Sequence, residues 1–143
     1  MKKWMIVPFV LFFFLLSGCS VSVDTEVSKA DQFTAVAEDI EATFLEAQSM
    51  FIELSEKQIL SSSDQKSVYL QIEQLREGIK TFKSTEAPFL AKTAKKTVAK
   101  ELNKIEKTLI KIQEKAKNGE VEKEDLELMI ELISTDIEIN FFD

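Results

Sequence analysis

Histidine is missing from all 143 residues of this chain, and cysteine occurs once, at Cys19. Those two absences exclude His-based triads, Cys–His nucleophiles, thiolate zinc sites, HExxH metalloprotease helices and the ExxH di-iron motif. Phosphate-binding turns of the GxxxxGK and GxGxxG types are missing as well. With the usual nucleophiles, metal ligands and phosphate cradles gone, an enzyme is not expected. No catalytic residue, cofactor or metal ligand is assigned. Breakers are scarce too: beyond residue 18 there are only Gly78, Gly119 and Pro88. So few turn-forming residues cannot punctuate a many-stranded β-fold, which predicts long helices.

What is present begins at the N-terminus. Lys2 and Lys3 precede an apolar run from Trp4 to Leu16, which closes on Leu16-Ser17-Gly18-Cys19. A basic start, a short apolar core and small residues before a cut describe a secretory signal. A membrane helix over residues 4–16 is the competing reading. Crossing the bilayer takes roughly 20 apolar residues, and runs of 10–14 are more often signal cores. Pro8 and Ser17-Gly18 weaken the membrane-helix reading further. The order Leu-Ser-Gly-Cys resembles the lipobox of bacterial lipoproteins. The resemblance implies that the Cys19 sulfur carries a diacylglycerol and that residues 1–18 are removed as a signal peptide. It also implies an anchor on the extracytoplasmic face of a bacterial membrane. Ser20 follows the cysteine, so the retention aspartate of Gram-negative inner-membrane lipoproteins is absent; in such a cell, outer-membrane sorting would be implied.

Removing residues 1–18 leaves one domain's worth of chain, with 16 basic against 25 acidic residues, a net charge of −9. Such a charge favours solubility and disfavours attraction to anionic polymers overall. Residues 20–30 are polar and lack a helical stripe, so the lipidated Cys19 and residues 20–30 read as a flexible tether. Extended, it would reach at most ~35–40 Å. The domain, residues 31–143, is predicted to be an all-α antiparallel up-down bundle of about four helices. Helix 1 is expected over about 31–60, with the stripe Phe33, Val36, Ala37, Ile40, Phe44, Ala47, Phe51 and Leu54. A second stripe of Leu45, Ile52 and Ile59 lies beside it. Helix 2, about 64–83, carries the seam Val68, Ile72, Leu75, Ile79 and Phe82, with Ser62 and Gln65 as a possible capping box. Gly78 within it reads as a tolerated glycine at a close crossing. Helix 3, about 87–117, opens on Pro88 and buries Leu90, Ala94, Val98, Leu102, Ile105, Leu109, Ile112 and Ala116. Asn118-Gly119 stops it. Helix 4, from about Glu122, buries Leu126, Met129, Ile130, Ile133 and Ile137, with Val121 stapling onto Leu126.

Charge is segregated. Residues 80–117 hold eleven lysines against four glutamates, while residues 19–60 and 118–143 sum to −7 and −8. At 100° per residue, Lys92, Lys96, Lys100, Lys104, Lys107, Lys111 and Lys115 fall opposite the apolar stripe of helix 3. Like charges four apart repel by a few tenths of a kcal/mol, so helix propensity does not explain the ridge. Either the acidic helices 1 and 4 flank and neutralise it, or it meets an anionic surface such as lipid headgroups, a teichoic-acid-type wall polymer or an acidic protein. Nucleic acid is not expected as a partner. A surplus of apolar residues on helix 4 and beyond it, Leu128, Leu132, Ile139, Phe141 and Phe142, is a candidate interaction face or a wide core. The pairs Glu120/Glu124 and Glu127/Glu131 read as solvated. The Lys/Glu-rich helices also resemble small helical lipoproteins of low-GC Gram-positive bacteria, some described as cell-wall-binding.

The first expectation for function is therefore a membrane-anchored, non-catalytic protein-binding or scaffolding module of the cell envelope, or one that self-associates. The alternatives are a binder of anionic wall polymer or membrane surface through the lysine ridge, and an inhibitor or immunity-type lipoprotein.

Overall fold

The computed structural model describes residues 7–137, with side chains described over 23–135. It is an all-α bundle. Helix α1 spans Val7–Ser55, α2 Ser62–Ser84, α3 Lys92–Asn118 and α4 Lys123–Ile137, with a 3-10 turn at Phe89–Ala91 before α3. Short connections make sequential neighbours antiparallel. Helix α1 packs on α2 and α4, α2 packs on α3, and α3 meets α4 less extensively.

The core follows the apolar periodicity. Val68, Ile72, Leu75, Ile79 and Phe82 of α2 are fully buried, together with Ala47 and Phe51 of α1, Leu109 of α3, and Leu126 and Ile133 of α4. The rings of Phe33 and Phe82 lie 5.5 Å apart and join the middle of α1 to the last turn of α2. A Cβ on Gly78 would sit 3.6 Å from Ile40 Cγ1, an ordinary contact, so the glycine lies at a close α1–α2 crossing. Gly119 ends α3 in the left-handed region, at φ 75°. Its N–H donates to Ala116 O at 3.2 Å and that of Glu120 to Lys115 O at 2.8 Å, the paired bonds of a glycine-stopped helix.

Several expectations need correction. Residues 20–30 are not an irregular tether: α1 is one helix of 49 residues that runs through them. No glycine or proline interrupts that stretch, and Glu26 and Lys29 bind the α2–α3 connection. The helix stops at Ser55 rather than near Leu60, and Ile59 lies in the following loop, 85% exposed, instead of extending the second stripe. The capping box uses Ser61 and Asp64, one residue before the predicted pair. Helix α3 begins five residues later than predicted, and its first two stripe positions are wrong. Leu90 is 93% exposed and Ala94 is exposed, while Ala87 and Ala91 reach the core. Proline restricts the residue before it to extended backbone, and the turn after it advances at three residues per turn. That changes the phase of Phe89 to Ala91, whereas Ala94 keeps the phase of Val98 within α3 and is simply left uncovered near the helix start. The Ile137 side chain lies outside the described residues.

The Ser61–Asp64 cap carries a pH prediction. Asp64 Oδ1 accepts from Lys57 Nζ at 2.6 Å, and Oδ2 from the Ser61 N–H and hydroxyl, each at 2.8 Å. The Lys57 hydrogen bond first, then those from Ser61, hold the Asp64 carboxyl at about 2, below its ordinary 3.8. A carboxyl lowered in the folded state stabilises above the unfolded value, and that contribution fades as pH falls from about 4 to about 2. Melting temperatures across pH 5 to 2 should therefore fall more steeply for the parent than for Asp64→Asn. Parallel curves would rule the cap out as an acid-sensitive element.

Candidate anionic-surface face of helix α3

Helix α3 turns one face to the core through Val98, Leu102, Ile105, Leu109, Ile112 and Ala116. With 100° between residues, the lysines must project outward. Lys92, Lys96, Lys100, Lys104, Lys107 and Lys111 are exposed, and Lys115 is half-buried. The sequence-predicted ridge is thus brought together on one side of one helix.

Its ion pairs are few. Lys104 pairs with Glu101 of its own helix at 2.6 Å. Lys115 Nζ donates to both Asp125 oxygens of α4, at 2.7 and 2.9 Å, and that hydrogen bonding raises the Lys115 pKa above its ordinary value. Lys92 lies 6.0 Å from the centroid of the Phe89 ring. Among the described residues, Lys96, Lys100, Lys107 and Lys111 make no ion pair. Neutralisation by α1 and α4 is therefore corrected for most of the ridge. The core stripe puts α2 and the bundle axis on one side of α3 and leaves the lysine side to solvent; α4 reaches it only through Asp125. Helix α1 packs on α2 and α4, and its Glu26 reaches only the Phe89 N–H ahead of Lys92; among the described residues no α1 acid forms an ion pair with the ridge.

Two further lysines of the basic segment, Lys83 and Lys95, are structural. Lys83 bridges α2 to Glu106 of α3 at 2.7 Å and to Asn103 at 3.0 Å. Lys95 donates to the carbonyls of Lys83 and Thr85 and so closes the last turn of α2. A groove of about 360 Å³ beside these contacts is lined by Arg76, Lys80 and Lys83 against Glu73, Glu77 and Glu106, a balanced set of charges.

The apolar candidates are divided. Leu128 is 44% exposed and Leu132 half-buried. Both lie in the row of Asp125 along α4, the row that faces Lys115. Ile139, Phe141 and Phe142 lie outside the described residues, as does the side chain of Cys19, whose backbone falls within α1. Leu45 and Ile52 are exposed on either side of Gln48, which donates to Ser134 Oγ of α4 at 2.7 Å. The glutamate pairs of the α4 region are solvent-exposed.

Two features escaped the sequence reading. One is the exposed pair Phe89 and Leu90; the signal was Pro88, which forces extended backbone before it and offsets the register after it. The other is Gln65, buried between α2 and the α3–α4 loop. Among the described residues, no group of three or more acidic, histidine or cysteine side chains could hold a metal, and no helix is long and apolar enough to cross a membrane. Comparison of the chain with models of protein families, with curated proteins and with solved structures finds no match to any of the three.

Proposed function

We propose that this chain is a non-catalytic lipoprotein of the bacterial envelope, anchored through Cys19 on the extracytoplasmic face of the membrane, whose α3 lysine face holds an anionic envelope polymer of the teichoic-acid type. The observation that carries the reading is the set Lys96, Lys100, Lys107 and Lys111. Four cations share one solvent-facing side without an acid partner among the described residues, in a chain of net charge −7. Keeping them unpaired costs repulsion along the helix, and a polyanion offsets that cost by releasing its counterions. From Lys96 to Lys111 the face runs about 22 Å along α3, which suits a linear polymer better than a point ligand. The lipobox sequence supports the anchor, and the missing histidine supports the absence of catalysis.

The test is binding of purified polyglycerol-phosphate polymer to the full chain in neutral detergent micelles, from low to high salt. Affinity should fall steeply with salt, and the variant carrying Lys96→Gln, Lys100→Gln, Lys107→Gln and Lys111→Gln should bind at least ~100-fold more weakly at low salt, at ~1 kcal/mol or somewhat less per lysine. Equal affinity in parent and variant would overturn the reading. The half-exposed Leu128 supports a second reading, a protein partner seated on the α4 side; capture that survives both high salt and the lysine changes would favour it.

A further inference from the structure

The connection between α2 and α3 lies at the end of the bundle where α1 enters it. The Phe89 N–H donates to Glu26 Oε2 at 2.8 Å, and Lys29 Nζ lies 3.1 Å from Glu86 Oε2. Those contacts place the Phe89–Ala91 turn beside residues 26–29 of α1. Cys19 is seven residues upstream of Glu26 on the same helix, about 10 Å along its axis at 1.5 Å per residue. The turn therefore sits within reach of any bilayer that holds Cys19.

The composition of this end is unusual for a water-facing surface. Phe89 is 73% exposed and Leu90 93%, the two most exposed large apolar side chains after the loop residue Ile59 is set aside. Val23 and Val27 of α1, four residues apart, are exposed at the same end. Of the adjacent acids, Glu26 accepts from the Phe89 N–H and Glu86 pairs with Lys29, while Asp24 beside Val23 is exposed. Lys92 stands beside the Phe89 ring, and Lys96 follows one turn later with no ion pair among the described residues. An apolar tip rimmed by lysines is the composition of an element that lies in the headgroup region of an anionic bilayer.

We infer that the Phe89–Leu90 tip is a second membrane contact, inserting into the interface of an anionic bilayer beside the Cys19 anchor, with Lys92 and Lys96 on the headgroups. The inference rests on the membrane-anchor part of the proposed function; it takes Lys96 from the polymer face and leaves Lys100, Lys107 and Lys111 to the polymer. Two attachments at one end fix the bundle upright on the bilayer, which turns α3 away from the membrane plane and leaves its distal lysines, Lys100 to Lys111, pointing to the space beyond. One anchor alone would leave the bundle free to tumble about α1.

The experiment reconstitutes the lipidated, processed chain, which has lost Trp4 with residues 1–18 and carries Phe89→Trp as its one tryptophan, into vesicles of phosphatidylcholine with 30% phosphatidylglycerol. Vesicle flotation reports the anchor, and tryptophan emission with quenching by brominated lipids reports the tip. A second chain with Leu90→Trp in place of Phe89→Trp guards against one substitution disturbing the turn; both sites face solvent, so neither touches the core. The expected result is flotation with blue-shifted emission that brominated lipids quench at least two-fold, weakening when Lys92→Gln and Lys96→Gln are added. Flotation with unquenched, water-like emission from both chains would overturn the tip while sparing the anchor. Failure to float would overturn the anchor, and the tip with it.

Discussion

Replacing Cys19 with serine is expected to abolish incorporation of fatty acid into the chain completely and to leave residues 1–18 attached. The sulfur is the only thiol in 143 residues, so no second residue can take a diacylglycerol as a thioether. Burial of acyl chains contributes ~0.8 kcal/mol per methylene, and two chains give stable anchoring where one gives only reversible binding. On the proposed reading, a diacylglycerol on Cys19 supplies most of the membrane affinity of the processed chain, the Phe89–Leu90 tip adding a smaller share, and its loss is the largest single effect open to any substitution. Metabolic labelling with a palmitate analogue and intact mass measurement check it. The parent should carry the label and begin at residue 19; Cys19→Ser should carry none and retain all 143 residues. A parent that keeps residues 1–18 and takes no label would instead favour a retained apolar helix at the N-terminus. The outcome also sets the geometry of the bundle. Because α1 continues helically through residues 20–30, an acylated Cys19 holds residue 26 about 10 Å away along the axis, not at the end of an extended tether of ~35–40 Å.

How much of this was legible in the sequence depends on whether periodicity or topology decides the point. The α2 seam from Val68 to Phe82 is buried as its spacing requires, because an apolar row at steps of four and three has no other low-energy placement in a bundle. Gly119 was readable for the same local reason: only a residue without Cβ takes φ 75° at no steric cost. Leu90 was misplaced because α-helical periodicity was carried back into the Phe89–Ala91 turn, which advances by three residues per turn instead of 3.6; Ala94 keeps the helical phase but lies where no neighbour covers the start of α3. The cap was read one residue late, as Ser62 with Gln65, because Ser61 with Asp64 fits the same spacing, and the geometry selects the latter. The lysine face could be drawn on a helical wheel, but not whether acids would meet it. That depends on which helices are neighbours, and no local pattern states that α3 packs on α2 while α1 takes α4.

Gln65 shows most sharply what local reading leaves out, and its replacement by alanine should lower stability by about 2–5 kcal/mol. As a capping residue it would cost about 1 kcal/mol. Its side chain instead points inward from the first turns of α2, 7% exposed, with both ends of the amide bound to one backbone position. Gln65 Nε2 donates to Val121 O at 2.9 Å, and the Val121 N–H donates to Gln65 Oε1 at 3.0 Å. Val121 is itself part of the core, so truncation leaves a buried N–H and a buried C=O without partners, at about 1–3 kcal/mol each. Against a total of about 5–15 kcal/mol, that is a large share. The loss also falls in a defined place. The loop after Gly119 is what carries the chain back onto α1, and the Gln65 clamp, with the Lys115–Asp125 pair beyond it, fixes where α4 begins. Thermal unfolding should therefore show the lowered midpoint, while hydrogen exchange should show α4 opening ahead of the α2–α3 pair, which keeps the Lys83–Glu106 and Arg76–Gln113 bonds. Ser61→Ala is the control, removing the cap without touching the clamp. A Gln65→Ala chain that loses no more than this control, with α4 amides exchanging as in the parent, would mean that the loop is held by the apolar burial of Val121 alone.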